Sequence, residues 1–274
     1  MDMFNNKTAI VTGGASGIGK ALCMELGKRG AIVVVSDINL EGAKQVVTEI
    51  AANHGQAQAK YADVSKMEDI QKVVDGTLSG NGHLDFMFNN AGVTICGEVR
   101  DLDLAHWERM INVNLWGVIH GTNAAYRVMI EQGFGHIVNI ASLDGLMPMP
   151  MAAPYTAAKH AIVGLSTTLR LEAEELGVKV SVACPGAVQT GVLEAAEFVG
   201  VKREGAMEEM SAFRMMDADE CARAILRGVS RNEAIILDGA IHNRIFWWLY
   251  RLSPTLYSKL MKVGVGEIRK HRVS

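Results

Sequence analysis

Thr8-Ala-Ile-Val-Thr-Gly-Gly-Ala-Ser-Gly-Ile-Gly19 is the stretch on which the fold turns. Thr8 to Thr12 has the apolar, β-branched character of a buried strand, and Ile18 to Arg29 has the composition of a helix. Between them, glycines at 13, 17 and 19 let the backbone bend sharply and come close to a pyrophosphate. The helix N-terminus then offers free N–H groups and the positive end of its dipole. Gly13, Ser16, Gly17, Ile18 and Gly19 are therefore candidate phosphate-binding residues. A glycine-rich patch alone is weak evidence; its place between a strand and a helix gives it weight.

A second apolar run, Ala31 to Ser36, ends at Asp37, 18 residues after Gly19. A carboxylate there can accept two hydrogen bonds from a ribose 2′,3′-diol and repels a 2′-phosphate. Neither Ser16 nor Ile38 offers a positive charge to that phosphate, so the expected cofactor is NAD rather than NADP. The competing reading of Asp37 is an ordinary turn or helix-capping residue.

Working outward, the same alternation continues. Further strand-like runs cover residues 58–62, 84–88, 136–141, 178–183 and 234–237. Helix-like segments lie near 39–53, 66–78 and 104–132, the last with a break near Asn112, and another carries Tyr155. Near-continuous apolar strands separated by helices imply a parallel sheet covered on both faces. Right-handed crossovers make it an α/β, doubly wound Rossmann fold of about seven strands. Residues 1–240 are expected to form one domain, and 241–274 an appendage.

With 274 residues the chain is long enough for one large core. A net charge of −3 gives no general affinity for polyanions, so nucleic acid is not an expected partner. The first seven residues lack the apolar core of a secretory signal, and no run approaches the ~20 apolar residues of a bilayer span. Cys23, Cys96, Cys184 and Cys221 show no metal-ligand spacing and read as reduced thiols of a cytoplasmic protein, with no metal site.

A second polar cluster lies further on. Ser142 ends the run His136 to Ala141, and Tyr155 and Lys159 follow four residues apart among good helix formers. On a helix they share a face. A free phenol ionises near pH ~10, and a neighbouring ammonium favours the phenolate. Tyr-x-x-x-Lys alone occurs by chance in many helices.

Here it does not stand alone. Thr12-Gly-x-x-x-Gly-x-Gly19, Asp63-Val64, Asn89-Asn-Ala-Gly92, Asn114, Ser142, Tyr155-x-x-x-Lys159 and Pro185-Gly-x-x-x-Thr190 occur in this order. The set resembles the short-chain dehydrogenase/reductase family in its shorter, single-domain branch, over about residues 5–240. Ser142 precedes Tyr155 by 13 residues, as the family pattern requires.

The resemblance implies roles. Tyr155 would be the general acid/base for hydride transfer to or from nicotinamide. Lys159 would lower the phenol's pKa and bond the nicotinamide ribose, while Ser142 would hold the substrate oxygen. Asn114 would hold a water linking Lys159 to solvent. Asp63 and Val64 would contact the adenine, and Asn90, with Ala91 and Gly92 beside it, the adenosine side. Asn89 is read as tying its strand to neighbours. Beyond the Pro185-Gly186 turn, Val188 and Thr190 would fix the carboxamide. Ala141 and Ala158 stand where many members carry serine, which removes no required group. Members commonly pair through the tyrosine-bearing helix, so a homodimer or homotetramer is expected.

Two segments are expected to wall the substrate pocket: residues 143–151 with Met147, and residues 191–216 with Val192, Leu193, Phe198, Val199, Met207, Met210 and Phe213. Met147 and Leu193 are candidate substrate contacts. Flexible methionines suit irregular apolar shapes, which points to a hydrophobic secondary alcohol or ketone. The alternative is a lid and core helices facing away. Asp144 is either a polar anchor for substrate or a solvated loop carboxylate.

Residues 241–274 carry seven Lys or Arg against the single acid Glu267, a local charge of +6. Ile245, Trp248, Leu249 and Leu252 share one helical face, and Pro254 interrupts the helix. Such a segment can lie on an anionic membrane surface as a peripheral contact. It can equally pack on a sister subunit or cover its own substrate pocket.

Overall fold

Seven parallel strands form the central sheet of the computed structural model, which describes residues 2–191, 196–211, 215–238 and 240–273. The first half runs β1 (Thr8–Thr12), α1 (Gly17–Lys28), β2 (Ile32–Asp37), α2 (Leu40–Ala52), β3 (Gln56–Tyr61), α3 (Met67–Asn81) and β4 (Phe86–Asn89). A short β5 (Ile95–Gly97) precedes α4 (Leu104–Ile111), α5 (Gly117–Gln132), β6 (Gly135–Ile140) and α6 (Ala153–Ala173). The rest comprises β7 (Val178–Cys184), β8 (Val188–Gln189), β9 (Glu197–Val199), α7 (Arg203–Ser211), β10 (Met216–Asp217), α8 (Ala218–Ser230), β11 (Ile235–Leu237), α9 (Ile241–Leu252) and α10 (Pro254–Arg269).

The sheet order is β11-β7-β6-β4-β1-β2-β3. The chain winds outward from β1 to β3, returns to β4 beside β1, and winds outward the other way. Such a reversal opens a crevice beyond the carboxyl ends of the strands. Side chains alternate across the strands. Val11, Val33, Val35 and Phe88 pack on one face with Leu22 and Leu26 of α1, Val46 and Ile50 of α2 and Ile225 of α8. Ile10, Val34, Met87, Ile137 and Val180 pack on the other with α3, α5 and α6. Burial on both faces is why these strands read as unbroken apolar runs.

The break expected near Asn112 is one π-helical turn, Asn112–Trp116, between α4 and α5. Four short strands were not legible: β5 pairs with β9, and β8 with β10. Two or three residues carry no measurable periodicity, and what makes these strands is a distant partner.

The tail folds over its own chain. Tyr257 is 1% exposed, clusters with Leu143 and Met147, and donates its hydroxyl to the Pro148 carbonyl at 2.8 Å. Phe246, Trp247, Leu249, Tyr250 and Met261 close around them. Arg269 then grips Glu98 at 2.8 Å, Arg272 reaches Asp101 at 2.9 Å, and Val273 N–H donates to the Gly200 carbonyl at 3.1 Å. The apolar face expected from periodicity divides. Of its four residues only Leu249 joins the packing, while Ile245, Trp248 and Leu252 are exposed. Helix α9 is apolar on two sides, and periodicity cannot say which side meets protein.

Candidate functional site

At the turn after β1, Gly13 has φ +64°, and a Cβ there would lie 2.8 Å from the Ala91 Cα. A Cβ on Gly19 would stand 2.0 Å from the Gly13 carbonyl oxygen. The turn and the start of α1 are therefore in backbone contact, which only glycine permits. Asn90 fastens this turn to the end of β4: its side-chain amide donates to the carbonyls of Thr12 at 3.0 Å and Gly13 at 3.3 Å. The Thr12 hydroxyl in turn accepts from the Asn90 N–H at 3.0 Å. Ser16 precedes α1 with an exposed side chain that makes no capping bond, leaving the N–H groups of the first turn open to the crevice. The cradle fits a dinucleotide pyrophosphate.

Asp37 ends β2 beside this cradle. One carboxylate oxygen accepts from Ala15 N–H at 2.9 Å and the other from Asn39 N–H at 2.8 Å. Asp37 thus ties down the turn, as in the competing reading, and each oxygen keeps a lone pair for an incoming donor. Asp63 spends part of its carboxylate on Ser65, whose hydroxyl donates to it at 2.7 Å, and this bond holds it below the usual carboxylate range. Val64 packs against α5, its carbonyl 2.9 Å from His120 Nδ1. Asn89 is buried and donates to Asn139 at 2.8 Å, tying β4 to β6 as expected.

Ser142, Tyr155 and Lys159 meet at the carboxyl end of β6. Pro154 opens α6, which fixes Tyr155 in the first turn and Lys159 one turn later. Lys159 is 4% exposed, donates to the Ile140 carbonyl at 2.9 Å, and its Nζ lies 5.3 Å from the centre of the Tyr155 ring. The Ser142 hydroxyl is within hydrogen-bond reach of both the Tyr155 phenol and the Asp144 carboxylate, and it accepts from Asp144 N–H at 3.1 Å.

Burial dominates the electrostatics here. It pushes the Tyr155 phenol well above its ordinary value, Asp144 adds to the shift, and the bond to Ser142 opposes it. Burial lowers the Lys159 ammonium to about 8, against the pull of Cys184 and Asp144. Asp144 is only partly exposed, and burial raises it to about 6, although Lys159, His160 and Ser142 all oppose the shift.

Asn114 is fully buried, and its side chain is committed. It accepts from Val93 N–H at 2.9 Å and donates to the Val93 carbonyl at 3.0 Å. The same bonds hold the Ala91-Gly92-Val93 segment over the crevice.

The Pro185-Gly186 turn returns to the site from β7. The Pro185 carbonyl accepts from Leu143 N–H at 2.8 Å, which ties this turn to the residue after Ser142. Val188 lies in β8, and a Cβ on Gly17 would be 3.2 Å from the Thr190 Cβ, so this loop touches the glycine turn. Asp238 was not singled out from sequence. It is 4% exposed and accepts from Gly186 N–H at 2.7 Å and Asn243 Nδ2 at 2.7 Å. It thereby joins the turn, the last strand and α9. An acid just past a buried parallel strand was the available signal.

Of the expected substrate contacts, Met147 is 3% exposed and packs beneath the tail with Leu143 and Tyr257. Leu193, with Val192 and Phe213, lies outside the described residues, as does the Met210 side chain. Phe198 and Val199 form β9 against β5. Among the described residues no group of His, Cys, Asp or Glu could hold a metal, and all four cysteines are buried and free.

Comparison with known proteins agrees with this geometry. A family profile described as "short chain dehydrogenase" matches residues 7–197. A cyclohexanol dehydrogenase of Acinetobacter sp. is 39% identical over 226 residues, 78% of this chain and 89% of that one. A 3beta-hydroxysteroid dehydrogenase of Eggerthella lenta is 33% identical over 248 residues, 85% of this chain and 94% of its own. The crystal structure of a short-chain dehydrogenase/reductase from Burkholderia phymatum in complex with NAD superposes with a TM-score of 0.82 at 27% identity, covering 92% of this chain and 96% of that one. Profile, relatives and fold agree: the chain belongs to the short-chain dehydrogenase family and is an oxidoreductase acting on CH–OH groups.

Proposed function

We propose that the chain is an NAD-dependent dehydrogenase that interconverts a hydrophobic secondary alcohol and its ketone, with Tyr155 as general acid/base. The observation that carries this reading is the meeting of Ser142, Tyr155 and Lys159 at the sheet's carboxyl edge, next to the loop tied to the glycine cradle. NAD, when bound, supplies the hydride acceptor. In oxidation the alcohol loses a proton from oxygen and a hydride from carbon. Tyr155 takes the proton, and Ser142 donates a hydrogen bond to the same oxygen as negative charge builds there. In reduction the phenol, protonated at neutral pH, returns the proton. Lys159, still largely cationic at neutral pH, sits beside the ring and offsets negative charge on the phenolate.

Asp37 supports NAD over NADP: its carboxylate stands beside the cradle and would face a 2′-phosphate with like charge. Relatives named for cyclohexanol and a 3β-hydroxysteroid support an apolar alcohol. The test is a panel of hydrophobic alcohols and ketones, read by NADH and NADPH absorbance. Turnover is expected with apolar secondary alcohols and NAD. Asp37→Ala should raise the NADP-to-NAD ratio of kcat/KM by about tenfold or more, the effect of ~1.4 kcal/mol. An unchanged ratio would remove Asp37 as the discriminating group.

The pH profile supplies a second check. Above about pH 6 Asp144 is ionised and opposes formation of the Tyr155 phenolate. Asp144→Asn removes that repulsion, so the rising limb of alcohol oxidation should move to lower pH. A limb that stays put or moves upward refutes the coupling.

A further inference from the structure

Helices α9 and α10 have an inner and an outer face with different fates. The inner face, with Phe246, Tyr250, Tyr257 and Met261, packs over Leu143 and Met147. On the outside of α9, Ile245, Trp248 and Leu252 recur at i, i+3 and i+7, with exposures of 60%, 51% and 78%. On α10, Leu256, Leu260 and Val263 recur at i, i+4 and i+7, with 48%, 46% and 66%. Single exposed apolar residues need no explanation, whereas two successive helical stripes of them do.

The basic residues divide as well. Arg269 is paired with Glu98, Lys270 with Glu267, and Arg272 with Asp101. Among the described residues, Arg244, Arg251, Lys259 and Lys262 have no carboxylate within ion-pair distance. Arg251 instead lies over the rings of Trp247 and Trp248, 5.5 and 5.7 Å from their centres. No Asp or Glu occurs between residues 241 and 263. The two stripes are therefore accompanied by cations that no acid answers.

We propose that the outer face of α9 and α10 docks on an anionic lipid surface. Charge decides the occupant. A second copy in a two-fold contact would bring the same four cations against themselves, with no acid on this stretch to meet them. Anionic headgroups match the cations, and the acyl boundary takes the leucines and Trp248. Trp and Arg are side chains suited to that interface. No helix among the described residues is long and apolar enough to cross a membrane, and α9 ends at Leu252 before Pro254, so the contact lies in the surface plane. The docked helices would carry the loop after Ser142 directly beneath them.

The test is co-sedimentation of the full chain with vesicles of phosphatidylcholine containing phosphatidylglycerol, and with phosphatidylcholine alone. The protein should pellet with the anionic vesicles at low salt, stay in solution with the neutral ones, and be released as salt rises. Ile245→Ser/Leu252→Ser should cut partitioning by about tenfold or more, from lost apolar burial. Arg244→Gln/Lys259→Gln should cut it by about fivefold per charge removed. Both variants should keep wild-type thermal unfolding and wild-type turnover of a water-soluble substrate. Three results overturn the proposal: no pelleting of the wild type with anionic vesicles at low salt, equal partitioning of wild type and variants, or variants that change only the mass by light scattering. The last would assign the face to a second copy.

Discussion

Tyr155→Phe is expected to lower kcat by about 10³-fold for any good substrate while leaving NAD binding intact. General acid/base catalysis contributes roughly 10² to 10⁴, and here no other group stands ready to replace the phenol. Ser142 is a hydroxyl, not a base at neutral pH, and Lys159 is held on the Ile140 carbonyl at 2.9 Å. The substitution removes one oxygen and keeps the ring, so the packing beside Lys159 survives. Unfolding temperature should therefore match the wild type, which separates lost chemistry from lost fold. Stopped-flow measurement of the hydride step, with NAD affinity measured alongside, decides the matter. Retained turnover would overturn the tyrosine mechanism.

Gly19→Ala should weaken NAD binding by about a hundredfold. The added carbon would stand 2.0 Å from the Gly13 carbonyl oxygen, 2.5 Å from Asn90 Nδ2 and 2.8 Å from the Gly13 carbonyl carbon. Two of these atoms are backbone, and the third is the amide that clamps the turn to β4. None can swing aside as a flexible side-chain end would. The turn must open, and the N–H groups at the start of α1 then miss the pyrophosphate. Losing two hydrogen bonds to a charged group at about 1.5 kcal/mol each gives that factor. Gly76→Ala in α3, where nothing lies within 4 Å of the added atom, is the matched control. Titration calorimetry on both variants provides the readout; a Gly19→Ala affinity equal to wild type would refute the cradle.

The two variants probe parts of the site with different legibility. The cradle was readable because its requirement is local: a strand, four glycines and the start of a helix within twelve residues, Thr8 to Gly19, carry it. Ser142, Tyr155 and Lys159 were readable because one strand end and one helix turn bring them together. Asn114 was readable as a position but not as a contact. Its side chain answers Val93, 21 residues away, and nothing in its neighbours announces that. The electrostatics of Tyr155 were only partly legible for a similar reason. Spacing revealed the ammonium one turn away, whereas the larger effect is burial, which the whole fold imposes.

The C-terminal segment shows the boundary most clearly. Its charge, its two helices and the break at Pro254 follow from the residues themselves. Its partner does not. A helix that is apolar on two sides buries whichever side meets complementary protein, and only packing against Leu143, Met147 and the Glu98–Asp101 loop settled that choice. The amino-acid sequence alone determined the doubly wound sheet, the glycine turn between its first strand and helix, and the positions of Ser142, Tyr155 and Lys159, because short-range pattern and spacing encode them. Tertiary structure decided which groups are desolvated, which polar side chains are already spent and which face of the tail is left outward. Those depend on residues that lie close in space and far apart in the chain.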